Sequence, residues 1–317
     1  METSSKQGRV PFISKIAYGM GDVGCNFSWM FVSNFLMIFY TDVFGIGMSA
    51  VATLMLVSRI WDAVNDPIIG TLTDKTHTRW GRFRPWLLFG APVTAIVLML
   101  TFWAHPQWSQ TAKIVYMAVT YCILVLGYTC VNLPYGTLCG AMTQNIDERA
   151  QLNTSRSVSA MIAIGVLNII TVPLVTYLGK GNTQFGYLAV AIIYGIIFAA
   201  CHLFCFSKTK EVVEVPMGQK LPISVQLKAV LKNRPYLLAI LGQFLFGFIL
   251  YGRNADMLYY FTYVEGSATL FSYYSMAIIV PSIAGAACFP WMFKKTGNKG
   301  YAAAVFALLC GVFMTML

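Results

Sequence analysis

An all-α, polytopic membrane protein is the fold this sequence predicts, on three observations. Hydrophobic residues fill 57% of the 317 positions and charged residues only 11%, against roughly 25% charged in soluble chains. The apolar residues gather into about nine runs of the length a helix needs to cross some 30 Å of hydrocarbon. The links between the runs alternate in charge, with the cations concentrated in every second one.

The runs fall approximately at 17–41, 47–70, 85–104, 112–141, 154–178, 186–206, 235–262, 267–292 and 300–317. The first follows a polar segment with Lys6, Arg9 and Lys15. It is too long for a signal-peptide core and lacks a small-residue cleavage site, so it reads as a retained helix. The fourth is long enough to tilt or to project beyond the bilayer. After the second run come Lys75, Arg79, Arg82 and Arg84; after the fourth, Arg149; after the sixth, Lys208 to Arg234; after the eighth, Lys294, Lys295 and Lys299. Basic short loops stay inside, so these links and the N-terminus are expected in the cytoplasm. Lys113 and Lys180 depart from the alternation.

The segment 207–234 is charged, holds Pro216 and Pro222, and includes an amphipathic stretch near Val225–Leu231. Three domains follow: a six-helix bundle at 1–206, a cytoplasmic linker at 207–234, and three further helices at 235–317. Phe39-Tyr40-Thr41-Asp42-Val43-Phe44-Gly45 at the end of run 1 is echoed by Tyr260-Phe261-Thr262-Tyr263-Val264-Glu265-Gly266 at the end of run 7. Repeated halves are a transporter architecture; shared helix-end chemistry gives the same pattern.

Other classes lose support. The net charge of +10 sits in links beside the membrane, which is no nucleic-acid footprint. The eight cysteines lie mostly within apolar runs with no C-x-x-C pair, so neither a disulfide framework nor a zinc site is expected. No H-E-x-x-H occurs, and His77, His105 and His202 are far apart, so an enzyme is not expected.

A charge near the bilayer centre costs about 2.5–3.5 kcal/mol on the insertion scale, yet this sequence keeps several. Run 2 reads Ser58-Arg59-Ile60-Trp61-Asp62-Ala63-Val64-Asn65-Asp66-Pro67. Asp62 and Asp66, four apart, share a helix face, with Arg59 nearly on it. Two carboxylates so placed call for something positive between them: a proton, a sodium ion or the Arg59 guanidinium. Hard cations take oxygen ligands, and Pro67 removes the donor that would satisfy the Ala63 carbonyl. The alternative is an ion-paired knot of Arg59, Asp62 and Asp66 that ties helices together.

Run 4 reads Tyr128-Thr129-Cys130-Val131-Asn132-Leu133-Pro134-Tyr135-Gly136. Hydroxyl, amide and aromatic groups there suit a sugar, or serve as interhelical glue, and Pro134 is expected to loosen the helix. In run 1, Asp22 and Asn26 face together beside Gly19, Gly21 and Gly24; Asp22 reads as functional. Arg253 and Asp256 in run 7 pair locally or form a second cavity wall. Asp74 is placed to pair across a helix end.

Gly70-x-x-x-Asp74-Lys75 followed by Gly81-Arg82 resembles the link between helices 2 and 3 of the major facilitator superfamily. More narrowly, the chain resembles the glycoside–pentoside–hexuronide:cation symporters. The strings that carry this are Lys15-Ile16-Ala17-Tyr18-Gly19-Met20-Gly21-Asp22, Phe39-Tyr40-Thr41-Asp42, Arg59 to Pro67, Arg79-Trp80-Gly81-Arg82-Phe83-Arg84-Pro85-Trp86 and Asn132-Leu133-Pro134-Tyr135. The resemblance implies a major facilitator-type bundle, with a six-helix N-terminal half and an incomplete C-terminal half. It implies a cation site of Asp62, Asp66, Asn65 and Thr129, and sugar contacts from Asn26, Tyr128, Asn132 and Arg156 beside Asp22. Arg59, Arg253 and Asp256 complete the charge network. The melibiose carrier of that family has acids where this chain has Asn26 and Asn132, and tryptophan where it has Gly136. The galactoside pocket is therefore not reproduced; Asn132-Leu133-Pro134-Tyr135-Gly136 and Gly21-Asp22 resemble instead the glucuronide and pentoside carriers of the family, and an anionic uronide would draw on Arg156 or Arg253.

The reading is a secondary transporter that couples a sugar or glycoside to Na+ or H+, with Asp62 and Asp66 as metal ligands if the ion is sodium. No prosthetic group is expected, and the lipid bilayer of a bacterial inner membrane is the surroundings of a monomer. The rival reading is a membrane sensor or partner subunit that keeps the fold without transport. Twelve helices are usual in the family and this sequence ends in the ninth, so either a fragment or a natural truncation is expected.

Overall fold

A computed structural model describes residues 9–213, 231–267 and 269–277. Among the described residues the long helices are, in chain order, α1 Phe12–Ile38, α2 Met48–Lys75, α3 Arg84–Thr101, α4 Gln110–Met142, α5 Ile146–Gly179, α6 Thr183–Lys208 and α7 Arg234–Tyr263. Another helix begins at 269. The order matches the first seven apolar runs, with several helices extending beyond them. α2 runs five residues past its run to Lys75 and α5 starts eight before its own, so Gly70–Asp74 is helix and not link. The last two runs, 267–292 and 300–317, lie largely outside the described residues.

Local chemistry sets the helix starts. Ser109, Asn145, Asn182 and Asn233 each turn a side-chain oxygen onto a first-turn amide of α4, α5, α6 and α7, satisfying donors that have no partner inside a helix. α2 and α4 continue through Pro67 and Pro134 as unbroken helix.

α1 lies against α5 and α6, α3 against α6 and α4, and α2 against α4. The exterior inverts the soluble pattern. Phe89, Val93, Ile96 and Leu100 on α3 are exposed, as are Val158, Ile162, Val166 and Ile170 on α5, while Asn34, Thr94, Asn168, Thr171 and His202 are buried. Helix-spaced apolar stripes facing outward, with polar contacts turned inward, fit a hydrocarbon solvent. The inward contacts include Asn34 Nδ2 to Asn168 Oδ1 at 2.9 Å and the Thr171–Tyr194 hydroxyl pair at 2.8 Å. α1 with its terminal turn, α3, α4, α5 and α6 are long and apolar enough to cross a membrane. α2 misses that standard; it carries Arg59, Asp62, Asp66, Asp74 and Lys75.

The two echoed segments close in the same turn. Phe39–Val43 ends α1 as a π-helical turn, with Phe44 N on Phe39 O at 2.9 Å and Ile46 N on Tyr40 O at 2.9 Å. Glu265 N on Tyr260 O at 3.3 Å and Ser267 N on Phe261 O at 2.9 Å repeat that pattern at the end of α7. Gly45 and Gly266 stand at φ 72° and 70°, the left-handed region in which a side chain is strained. The Tyr263 hydroxyl donates to Asp42 Oδ2 across 221 positions of sequence, which is also the offset of the repeat. The bond thus joins equivalent positions of the two echoed segments and ties the end of α1 to the end of α7.

Lys113 owes its odd place to this turn: it is 7% exposed and donates to the Phe44 carbonyl at 3.0 Å, satisfying an end-of-helix acceptor.

At the opposite end, the chain leaving α6 folds back under α3. Phe83 offers no side-chain cap to α3. Glu211 supplies it from 127–129 residues away, accepting from Arg82 N at 2.8 Å, Phe83 N at 2.8 Å and Arg84 N at 3.0 Å. An anion at a helix N-terminus meets both free amides and the positive end of the dipole. Gly81, at φ 107°, has no room for a Cβ beside the Glu211 carboxylate. Val212 N and Val213 N bind Ala141 O, both at 2.9 Å. Asp74 takes Arg82 Nη2 at 2.9 Å, as the sequence anticipated. Replacing Glu211 by Gln should weaken this clasp by about 1.5–3 kcal/mol, the worth of hydrogen bonds to a charged group. Hydrogen exchange at the amides of 82–84 would rise at least tenfold; unchanged protection would reject the capping role.

Candidate functional site

Two clusters of sequence-predicted residues meet between helices. The first lies between α2 and α4. Asp62 is half-buried and its Oδ1 accepts from Thr129 Oγ1 at 3.4 Å, across 67 residues of sequence. Asn65, one turn on, is 3% exposed and its Nδ2 has no hydrogen-bond partner. Asp66 follows Asp62 by four positions and is exposed. The indole of Trp61 donates to Cys122 O at 3.2 Å and fixes α2 beside α4.

The ion-paired knot does not form. Among the described residues the ion pairs are Lys15–Glu148, Arg82–Asp74 and Arg156–Asp22. Arg59 is exposed on the helix surface, and three residues of separation do not bring its guanidinium into contact with either carboxylate. Asp62 and Asp66 thus keep a charge excess that no fixed cation contacts.

The second cluster joins α1, α4 and α5. Asp22 is 7% exposed. Arg156 Nε donates to its Oδ1 at 2.8 Å. Asn26 Nδ2 donates to Asp22 Oδ2 at 3.2 Å and to Asp22 O at 2.8 Å, which confirms that the two share a face. Asn132 enters through Cys25, whose Sγ stands 3.5 Å from Asn132 Oδ1. The Tyr128 ring stacks on Trp29, centroids 4.6 Å apart and planes 25° apart.

Several partners escaped the sequence reading. Tyr135 covers one face of the Arg156 guanidinium, 5.2 Å from ring centroid to Cζ, and its hydroxyl donates to Tyr18 O. Gly21 is required here, since a Cβ would enter the Tyr135 ring. His202, fully buried, has Nδ1 2.8 Å from Phe198 O and Nε2 3.4 Å from Cys25 Sγ. Trp29 was within reach, being three residues after Asn26 on the same helix face. His202 gives no sequence signal of its contact with Cys25, because that partner lies on another helix.

Arg253 and Asp256 lie on α7, but their side chains are outside the described residues, as is any basic residue beyond 277.

A stacked aromatic pair beside amides, a carboxylate and a guanidinium provides what a sugar needs: a flat apolar face and hydroxyl partners. The pair of carboxylates on α2 provides what a small cation needs.

Comparison with known proteins gives the family. The family described as MFS/sugar transport protein matches residues 17–317. The chain is 35% identical over 294 residues to an isoprimeverose transporter of Lactiplantibacillus pentosus, covering 92% of this chain and 61% of that one. It is 34% identical over 285 residues to a glucuronide carrier protein homolog of Escherichia coli (strain K12), covering 90% and 62%. A putative glycoside/cation symporter of the same strain is 42% identical over 221 residues, 69% of this chain and 47% of the relative. The chain thus spans about three fifths or less of the length of these relatives.

Proposed function

Because the chain belongs to the MFS/sugar transport protein family, we propose that it carries a sugar or glycoside across a bacterial inner membrane by alternating access, in symport with Na+ or H+. The observation that carries the coupling is Asp62, held between α2 and α4 against Thr129 with no basic partner in contact.

Carboxylates four apart on a helix lie about 6 Å apart. At an effective dielectric constant near 20 their repulsion is about 3 kcal/mol. A proton on Asp62, or a sodium ion shared by Asp62, Asp66 and Thr129, removes that cost. Asn65 joins the site if its buried amide turns over, which exchanges the unpartnered Nδ2 for the oxygen a cation needs. The relieved repulsion is of the size of typical coupling between two ligands, about 1–3 kcal/mol.

The sugar sits on the Trp29–Tyr128 stack, with hydroxyls within reach of Asn26, Asn132 and Arg156. The bundle boundaries at 206 and 234, the cytoplasmic N-terminus and a monomeric state belong to the same proposal. Relatives named for isoprimeverose and glucuronide transport support a glycoside as the cargo.

The test is uptake of radiolabelled aryl glycosides by cells expressing the full-length protein, under an imposed sodium or proton gradient. Accumulation should follow one gradient and vanish when it is collapsed. Tight glycoside binding with no uptake under either gradient would favour the sensor reading instead.

A further inference from the structure

Between α3 and α4 the outer surface holds a groove of about 480 Å³, walled by Trp86, Phe89, Val93 and Val97 on one side and Ile123 and Leu126 on the other. Two glycines let the helices close up along it. A Cβ on Gly127 would stand 2.8 Å from Thr94 Oγ1, and one on Gly90 2.9 Å from Val131 Cγ2. The hydroxyls that reach the groove are already engaged. Thr94 Oγ1 donates to Gly90 O at 2.8 Å. Thr76 Oγ1 donates to Leu72 O at 2.9 Å and accepts from Trp86 Nε1 at 3.1 Å. Walls with no polar group left to satisfy suit a hydrocarbon occupant. From Trp86 to Val97 the groove follows α3 for about 16 Å at 1.5 Å per residue, close to the ~15 Å depth of one leaflet.

One end of the groove is basic. Thr76 and Pro85 line that end, and the link between them carries Arg79 and Arg82, with Lys75 just before it. Arg79 lies over the Trp80 ring, 4.4 Å from Cζ to centroid, and Trp80 meets Phe89 edge-on at 5.8 Å. The acids nearby are taken: Asp74 by Arg82, and Glu211 by the amides of 82–84. Arg84 is turned onto Phe206 O at 2.7 Å. Lys75 and Arg79 are exposed and belong to none of the ion pairs among the described residues. Two unmatched cations therefore stand at the mouth of an apolar slot.

We propose that this groove binds an anionic diacyl phospholipid, with Lys75 and Arg79 on its phosphate and one acyl chain laid along Phe89, Val93 and Val97. The site lies outside the proposed sugar and cation clusters, so its failure would leave the transport reading untouched. Headgroup and tail are recognised by separate parts. Each basic residue near a membrane surface is worth about fivefold in affinity for an anionic lipid, so this pair gives about 25-fold. The tail fills walls that a free anion leaves empty.

The test places purified full-length protein in phosphatidylcholine nanodiscs with a trace of phosphatidylglycerol that carries a diazirine in its acyl chain. Crosslinked positions are mapped by mass spectrometry. Phosphatidylcholine with the same diazirine is the reference lipid, and the exposed Val158 and Ile162 on α5 report the bulk. Phosphatidylglycerol should label Phe89, Val93, Val97 and Ile123 about 25-fold more than the reference lipid does, with both lipids equal on α5. Lys75→Gln/Arg79→Gln should bring that ratio to within about twofold of unity. Val93→Trp fills the groove from an exposed position and should abolish the enrichment with both cations intact; Ile123→Trp repeats this from α4 should the first variant not fold. Inorganic phosphate should displace the lipid no more than chloride of equal ionic strength.

Equal labelling by the two lipids in the wild type would mean an ordinary lipid annulus and overturns the proposal. So does a ratio unmoved by the double substitution, or by both groove-filling variants. Displacement by phosphate beyond that by chloride assigns the cations to a free anion and overturns it as well.

Discussion

Cells carrying Asp62→Asn are expected to lose concentrative uptake, with the internal glycoside level falling to that outside. The substitution keeps the shape of the side chain and its bond from Thr129 but removes the charge that a cation neutralises. Without it, cation and sugar no longer reinforce each other. The loss of coupling corresponds to a roughly 5–150-fold drop in the cation's effect on sugar affinity. Downhill exchange of sugar should survive, because the Asp22–Arg156 cluster is intact on other helices. Asp66→Asn should act in the same direction and less strongly, since Asp66 is exposed and has no partner on α4. Cation-dependent accumulation unchanged in both variants would remove this pair from the mechanism.

Arg156→Ala should be the most damaging single change for the fold among the sugar-site residues. It strips the partner from a carboxylate that is only 10% exposed. Breaking a fully buried pair costs about 3–5 kcal/mol. Arg156 is 34% exposed and water screens it, so about 2–3 kcal/mol is expected here. Thermal unfolding in detergent would show a drop of several degrees. The double variant Asp22→Asn/Arg156→Gln leaves no unmatched charge, so it should recover most of that stability while glycoside binding stays lost. Equal unfolding temperatures for the wild type and Arg156→Ala would mean that the pair does not hold α1 to α5.

Both predictions concern charges whose presence was readable and whose partners were not. Asp62 and Asp22 stand out in apolar runs because hydrocarbon makes a carboxylate costly. The same cost argument proposes a partner within three or four residues, since only those share a helix face. It offered Arg59 to Asp62, and the structure leaves Arg59 exposed. It assigned Arg156 by resemblance alone; the structure sets it 134 residues from Asp22 in sequence and 2.8 Å away in space. Glu211 shows the same limit, since an acid in a basic linker carries no mark of the helix it will cap. Lys113 looked like an exception to the charge alternation until the Phe44 carbonyl was seen to accept from it.

The repeat was legible only as two similar strings. Its meaning came from backbone geometry: two glycines at φ 72° and 70°, and a bond between equivalent positions.

The sequence alone determined that the chain is helical and membrane-embedded, and which side chains are too costly to be there without a purpose. Those facts follow from composition and from the 3.6-residue period, which act along one helix at a time. Tertiary structure decided which charges are matched and which stay open, because that depends on how helices far apart in sequence are turned toward each other. Asp22 received a guanidinium from α5 and Asp62 received only a hydroxyl from α4, and that difference separates the proposed sugar site from the proposed cation site.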